Sequence, residues 1–359
     1  MAKSESPRRT RPDFNIFRTV AKNQLIHLLE SIGEPKDLVL DDELMRPLDR
    51  IIGASVLKEH GVSAIYKLEK GSLLQGCANR LYLFRPSVKN AVMIAAQIRA
   101  DQAAEKNRSY RLVMTPRRSV LCEKILEREG VYGAVSFDEF PLEFLCLDED
   151  ILSMEYNPFF REYFVDNSFS FFQTLASALM TFEGLFGKFQ SVHTVGRCAN
   201  IIYCMKQKLQ EVYGHEASHR VESEVGTLIL IDRDVDCISA VLSPLTYEGL
   251  LDDHMGISSG TVDFEASLVG QPKSIKWILN SQDEVFKDIR DRHFATVFTH
   301  LSSKAKEIQS IYNRKNDMKT FERYEFATSV LRLAHRRVRV HHAAQVLDRG
   351  LRKPAPNRA

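Results

Sequence analysis

The chain has 359 residues, with 49 Lys plus Arg against 47 Asp plus Glu for a net charge of +2, and 44% of its residues are hydrophobic. That balance excludes a disordered, collagen-like or membrane-spanning polypeptide, and at roughly 150 residues per domain the length accommodates about two domains with sizeable cores. Residues 332–359 hold eight Lys or Arg and one acid, Asp348, which leaves 41 basic and 46 acidic residues, a net −5, in the remainder.

Residues 1–13 are polar and basic and lack the apolar core of about 7 to 15 residues that a secretory signal needs, so they read as a disordered leader. No apolar run reaches about 18 residues. The six cysteines (Cys77, Cys122, Cys146, Cys198, Cys204, Cys237) include no C-x-x-C pair, which argues against a disulfide framework or a zinc cluster. A cytosolic location is expected, with Asn107-Arg108-Ser109 an unused glycosylation match, and the basic tail reads as a solvated end rather than a nucleic-acid contact.

From Phe14 to Ser31, Phe17, Val20, Ala21, Leu25, Leu28 and Leu29 recur at helical spacing and predict an amphipathic first helix. Residues 37–40, 64–68, 81–84, 111–114 and 144–147 then read as strands, and 88–100 and 117–129 as helices between them. Short strands separated by helices predict an α/β domain over 14–150 with a parallel, Rossmann-like sheet. Neither G-x-G-x-x-G nor G-x-x-x-x-G-K-[ST] occurs, and the strand-to-helix turns read Asp41-Asp42-Glu43, Arg85-Pro86-Ser87 and Thr115-Pro116-Arg117. Acidic and proline-bearing turns do not cradle a pyrophosphate, so no nucleotide or other cofactor is expected.

An aromatic, proline-bearing stretch over 156–163 breaks the pattern and opens a second α/β domain, with helices expected over 169–186 and 194–212. A polar loop follows over 214–224, and the apolar run Thr227 to Ile231 reads as a buried strand of the parallel type. Farther on, Val285, Ile289, Phe294, Val297, Leu301, Ala305, Ile308 and Tyr312 recur at steps of 3 and 4, apart from the five between Ile289 and Phe294, without Gly or Pro. The pattern predicts a single helix over 282–312, about 45 Å long at 1.5 Å per residue, with Val285, Ile289, Phe294, Val297 and Leu301 forming a candidate partner-binding seam.

The chemically most suggestive segment places Asp232, Asp234 and Asp236 at alternate positions after the Thr227–Ile231 run, where parallel sheets carry their ligand and catalytic groups. It resembles the haloacid dehalogenase phosphatases, in which reading Asp232 attacks phosphorus, Asp234 is the acid and base, and Mg²⁺ offsets the charge. The later Lys and the Gly-Asp-x-x-x-Asp site are missing, however, and a calcium loop fails because position 6 is Cys237 and position 12 is Ser243. The structural alternative is that Arg233 pairs with Asp236 or another nearby carboxylate and fixes the strand exit, with Tyr247 packed beside it.

The run Ile231-Asp232-Arg233-Asp234-Val235-Asp236, followed by Leu245-Thr246-Tyr247-Glu248-Gly249-Leu250, resembles the signature of the Sec/Munc (SM) proteins, Asp-Arg-x-x-Asp and then Thr-Tyr-Glu-Gly/Ala-Leu. Segments 44–51, 66–69, 85–90, 195–199 and 260–264 are similar to the thirty-three class of its vacuolar protein sorting-associated branch, its B form foremost; Ala240 stands where many members carry Pro, a change that the B form tolerates. The resemblance marks Asp232, Arg233, Asp236, Thr246 and Tyr247 as signature residues. It implies an incomplete SM architecture: a first domain over 14–150, the first part of a second over 151–270, the start of a helical third over 271–320 and a divergent basic tail over 321–359, the likeness ending near 320.

It also implies a non-enzymatic SNARE-binding protein without cofactor or metal, acting in vesicle transport and membrane fusion in the endosome and lysosome pathway. Such a protein is cytoplasmic and peripheral to late endosome and lysosome membranes through its partners. A further implied partner is a subunit of the class C tethering complex, which in the related A form docks on later parts of the third domain.

Overall fold

Phe17, Ala21, Leu25 and Leu29 recur every fourth residue and are the buried stripe of the first helix, α1 (Asn15–Glu30), while Val20 lies off that stripe and is exposed. In this computed structural model, residues 12–73, 75–213, 223–264 and 274–314 are described; the expected leader through residue 11, the polar loop through residue 222 and the basic tail lie outside them. The chain divides into two compact units, one of Met1–Cys146 with Asp150–Cys237 and one of Leu147–Glu149 with Ile238–Ala359.

The first unit is built on five parallel strands, β1 (Lys36–Leu40), β2 (Val62–Lys67), β3 (Asn79–Phe84), β4 (Ser109–Met114) and β5 (Val135–Glu139), in the order β2-β1-β3-β4-β5. Central strands of such sheets are covered on both faces and read as continuous apolar runs, which is why β1, β3 and β4 are legible. The fifth strand is not the expected 144–147 run. It is β5, an edge strand whose Ser136, Asp138 and Glu139 break the apolar run, so it carries no such signal. The 144–147 run instead gives β6 (Leu145–Asp148), followed by β7 (Ile151–Ser153).

Helices α2 (Asp42–Ile51), α3 (Ala54–Glu59), α4 (Val88–Ala103) and α5 (Val120–Arg128) connect the strands. Ala91, Ile94, Ala95 and Ile98 of α4 pack in one cluster with Tyr82, Phe84, Leu112 and Met114. At the other end of the sheet, fully buried Arg80 donates to Asp101 (2.9 Å) and to the carbonyls of Leu73 and Gln75, and Arg108 and Tyr110 complete the hydrogen bonding of Asp101. Buried charges persist only when so paired. Lys36 Nζ, whose pKa burial lowers, donates to Leu29 O (2.8 Å), at the end of α1.

The rest of this unit contains α6 (Phe159–Phe164), α7 (Phe172–Phe186), α8 (Arg197–Tyr213), and the parallel pair β8 (Ser191–Val195) and β9 (Thr227–Ile231). The helix expected from Thr194 therefore begins later, because Thr194 and Val195 belong to β8 and Gly196, with φ +100°, turns the chain. The aromatic stretch packs against the start of α7, Tyr156 stacking on Phe171 with ring centroids 3.8 Å apart. Between α7 and α8, Lys206 and Glu183 form a buried ion pair at 2.7 Å. The strand β9 is parallel as read but not buried: Ile229 is 59% and Ile231 68% exposed on the face that their side chains share.

The second unit contains α9 (Ile238–Val241), α10 (Tyr247–Met255), the antiparallel pair β10 (Thr261–Phe264) and β11 (Ile275–Ile278), α11 (Glu284–Ile289) and α12 (Phe294–Arg314). Its core gathers Tyr247, Leu251, Val262, Phe264, Phe286, Ile289, Val297 and Leu301. The single helix expected over 282–312 is thus two. The backbone of 290–294 instead bonds with 245–248, Tyr247 N donating to Arg292 O (3.1 Å), Glu248 N to Arg290 O (3.1 Å) and Phe294 N to Leu245 O (2.9 Å). Peptide groups held across the fold cannot also continue a helical ladder.

Candidate functional site

In an open parallel sheet of order 2-1-3-4-5, ligands bind beyond the strand ends where β1 and β3 send their connections apart. Asp41, Arg85 and Asn90 occupy that place. Asp41 Oδ2 accepts from Arg85 N (3.0 Å) and from Asn90 Nδ2 (2.7 Å), and Ser87 Oγ caps α4 by accepting from Asn90 N (3.1 Å). The Arg85 guanidinium donates to Glu155 O (2.9 Å) and lies over the Tyr156 ring, its pKa lowered by burial against the opposing pull of Glu43. The amide that a phosphate would seek at the end of β3 is taken by a side chain of the chain itself.

The Asp232 carboxylate, 6% exposed, accepts from Cys198 N (2.7 Å) in the first turn of α8. It is a long-range N-cap, satisfying an amide that the helix leaves unpaired and adding favourable charge at the positive end of the dipole. The approach requires a glycine at 196, since a Cβ there would sit 2.2 Å from the Asp232 Cβ. Burial, with the Asp232 and Asp234 charges nearby, pushes the Cys198 thiol up to about 12. Among the described residues no carboxylate pairs with Arg233, contrary to expectation. Its guanidinium donates to the backbone carbonyl of Asp236.

An attacking carboxylate must reach substrate, whereas Asp232 is enclosed under Gly196 and engaged with α8; the phosphatase alternative is corrected on that ground. Among the described residues no cluster of His, Cys, Asp and Glu is arranged to hold a metal ion.

The other half of the signature lies in the second unit. Thr246 Oγ1 caps α10 by accepting from Gly249 N (3.2 Å), and Tyr247 is buried in the core, where burial and the Asp283 charge raise its hydroxyl pKa. Gly249 is closely approached: an added Cβ would lie 2.5 Å from the Pro244 Cβ, so the Pro244 ring would have to move to admit one. Glu248 accepts from Arg290 Nε (2.9 Å), while Arg290 Nη1 donates to Asp148 Oδ2 (2.6 Å). Asp148 also accepts from Ser281 N (3.0 Å) and Ser281 Oγ (2.8 Å). Burial alone would raise the Asp148 pKa, but the Ser281 and Arg290 hydrogen bonds outweigh it and hold the carboxyl below its ordinary value.

Of the expected seam, Ile289, Val297 and Leu301 are buried in the core of the second unit, and Val285 and Phe294 pack partly buried against it. The seam therefore faces the unit's own α10 and β10 residues, and the reading of it as an exposed docking face is corrected. Sequence reasoning missed Asp148, Ser281 and Arg290, which join Glu248 in one knot across more than a hundred residues of chain, and it missed Asp41 and Asn90 at the switch point. Only the turn sequences Asp41-Asp42 and Arg85-Pro86 signalled the latter.

The Sec1 family profile matches residues 36–334, beyond the point near 320 at which the resemblance is expected to end. Vacuolar protein sorting-associated protein 33B of Mus musculus is 40% identical over 336 residues, which is 93% of this chain and 54% of that protein. The vacuolar protein-sorting-associated protein 33 homolog of Arabidopsis thaliana is 33% identical over 92% of this chain and 56% of its own. The chain spans about half the length of these curated relatives.

Among solved structures, the SM protein Vps45 in complex with the Qa SNARE Tlg2 matches with a TM-score of 0.62 at 15% identity, over 95% of this chain and 61% of that one. The Unc18–syntaxin 1 complex from Monosiga brevicollis gives 0.58 at 15% identity, over 93% of this chain and 62% of that one. These two likenesses are of fold. With the signature halves built as a long-range cap in one unit and a capped, ion-paired knot in the other, and with the profile running through both, the chain belongs to the Sec1 family.

Proposed function

We propose that this chain is an SM-type SNARE-binding protein of vesicle-mediated transport, acting in membrane fusion and tethering in the endosome and lysosome (vacuolar) pathway. The observation that carries the reading is the family match over residues 36–334, supported by 40% identity to a vacuolar protein sorting-associated protein 33B. The site chemistry favours binding over catalysis: Asp41, Asp232 and the Glu248–Arg290–Asp148 group are each engaged in holding the fold. The protein is accordingly non-enzymatic, cytoplasmic and peripheral to late endosome and lysosome membranes, recruited through SNAREs and a class C tethering-complex subunit. In this reading 14–150 is the first SM domain, 151–270 the first part of the second and 271–320 the start of the helical third. Solved relatives described with a Qa SNARE and with syntaxin 1 support helical SNARE segments as the partner class.

Binding of the cytoplasmic domains of endosomal and lysosomal SNAREs to the immobilised chain tests this. Saturable binding of at least one is expected, and none binding to a folded chain would overturn the reading. Aryl phosphate hydrolysis with Mg²⁺ is expected from neither the wild type nor Asp232→Asn. Turnover by the wild type that the substitution abolishes would reinstate an enzyme.

A further inference from the structure

Ser281 lies in the turn between β11 and α11, with Asp283 and Glu284 two and three residues beyond it. A serine three residues before a glutamate is ordinarily the start of a helix capping box. Here, however, α11 is capped by Asp283, which accepts from Val285 N (3.0 Å) and Phe286 N (3.3 Å). The Ser281 hydroxyl is turned elsewhere and donates to Asp148 Oδ2 (2.8 Å), the oxygen that also accepts from Arg290 Nη1 (2.6 Å). Ser31 and Ser136 stand at the same spacing from a glutamate, but Ser31 has no acid before Glu34, and Ser136 lies within β5. Ser281 combines a turn, two following carboxylates and a half-buried hydroxyl flanked by exposed Gln282 and Glu284.

We propose that Ser281 is a phosphorylation site for an acid-directed protein kinase, and that its phosphate opens the ion-paired group of Asp148, Arg290 and Glu248. Such a kinase reads carboxylates that follow the acceptor by their charge. Oγ attacks the γ-phosphorus of a nucleoside triphosphate, its proton passes to a base of the kinase, and the nucleoside diphosphate leaves. The ester oxygen carries no hydrogen, so Asp148 loses a donor. A group of about −1.5 to −2 charge is then attached to an oxygen that lies 2.8 Å from the Asp148 carboxylate. Repulsion separates the two, and the Arg290 cation, now shared by Asp148 and Glu248, is drawn towards the phosphate. Arg290 also stands at the backbone bonds that end α11, among them Glu248 N to Arg290 O and Tyr247 N to Arg292 O. The modification is thereby coupled to the pairing of 245–248 with 290–294.

Incubating the full chain with a recombinant casein-type serine kinase and MgATP, then mapping the phosphate by peptide mass, tests the proposal. Phosphate is expected at Ser281 of the folded chain, and Glu284→Ala is expected to abolish it there. In hydrogen exchange, the amides of 245–248 and 290–294 should exchange roughly ten- to a hundredfold faster after phosphorylation, the equivalent of one charged hydrogen bond lost. Ser281→Ala removes the hydroxyl without adding charge and should show a smaller acceleration. Asp148→Asn, which takes away the facing charge, should remove most of the difference between the modified and unmodified chains. No phosphate at Ser281, phosphate there only once the chain is unfolded, or equal incorporation in Glu284→Ala would overturn the proposal. So would exchange in the two segments that is unchanged or slower after phosphorylation.

Discussion

Asp232 and Gly196 act as one device. Removing a capping carboxylate costs about 0.5 to 2 kcal/mol, and Asp232→Ala is expected to lower the stability of the first unit by that order, read from the urea midpoint. At Gly196 an added Cβ meets both a left-handed backbone at φ +100° and the Asp232 side chain at 2.2 Å. Gly196→Ala should therefore cost at least the roughly 1 to 3 kcal/mol of a strained backbone residue, more than the loss of the cap. A midpoint unchanged by Gly196→Ala would show that α8 does not start against Asp232. At Asp148 the argument concerns pH. Its folded pKa lies below the ordinary value, so the stability it contributes is complete at neutral pH and is lost as the pH falls through the folded pKa. The melting temperature of the second unit should fall in the acid range below about pH 4, and Asp148→Asn should flatten that slope while lowering the neutral-pH value. Equal slopes would remove Asp148 as the acid-sensitive group.

At the scale of elements, α1 and the turn between α11 and α12 make opposite cases. Leu29 lies fully buried on the stripe of α1, and Leu29→Pro would delete an amide donor and clash one turn back, a cost of about 3 kcal/mol or more. Set against a total of roughly 5 to 15 kcal/mol, loss of soluble protein is the expected result; soluble expression with an unchanged melting temperature would refute the helix. The break after Ile289 carries no Gly or Pro and depends on Arg290, whose side chain joins Glu248 to Asp148. Arg290→Met leaves two carboxylates facing one another without their cation, for which about 3 to 5 kcal/mol is the usual order. The loss should be visible as early exchange of amides in 245–248 and 290–294.

At the scale of the molecule, the buried seam of α12 converts an expected surface effect into a core effect. Val297 and Leu301 are buried with Tyr247, Val262 and Phe264, so Val297→Glu places a carboxylate in an apolar core and should unfold the second unit. Hydrogen exchange should then show protection lost over 238–314 and retained over the first unit's sheet. Retained protection in both units would return the seam to the surface. Ile229→Lys, by contrast, alters an exposed side chain and should leave both units folded.

The amino-acid sequence by itself determined the parallel sheet, because the C-terminal parts of β1, β3 and β4 (residues 38–40, 81–84 and 112–114) are buried on both faces and are apolar without a break. It likewise determined α1, whose stripe at every fourth residue is a local property, and the family signature, whose residue types are required locally as caps at Thr246 and as a close approach at Gly249. Tertiary structure alone decided what the sequence leaves degenerate. The edge strand β5 and the strand β8 lack a continuous apolar run, and the split between α11 and α12, marked in the sequence by nothing more than the five-residue step from Ile289 to Phe294, arises from backbone bonds to residues 245–248. The same holds for the roles of Asp232 and Asp148. A carboxylate at the end of a strand has the same sequence whether it attacks a substrate, binds a metal or caps a distant helix, and only the partner that folding brings within hydrogen-bond distance distinguishes them.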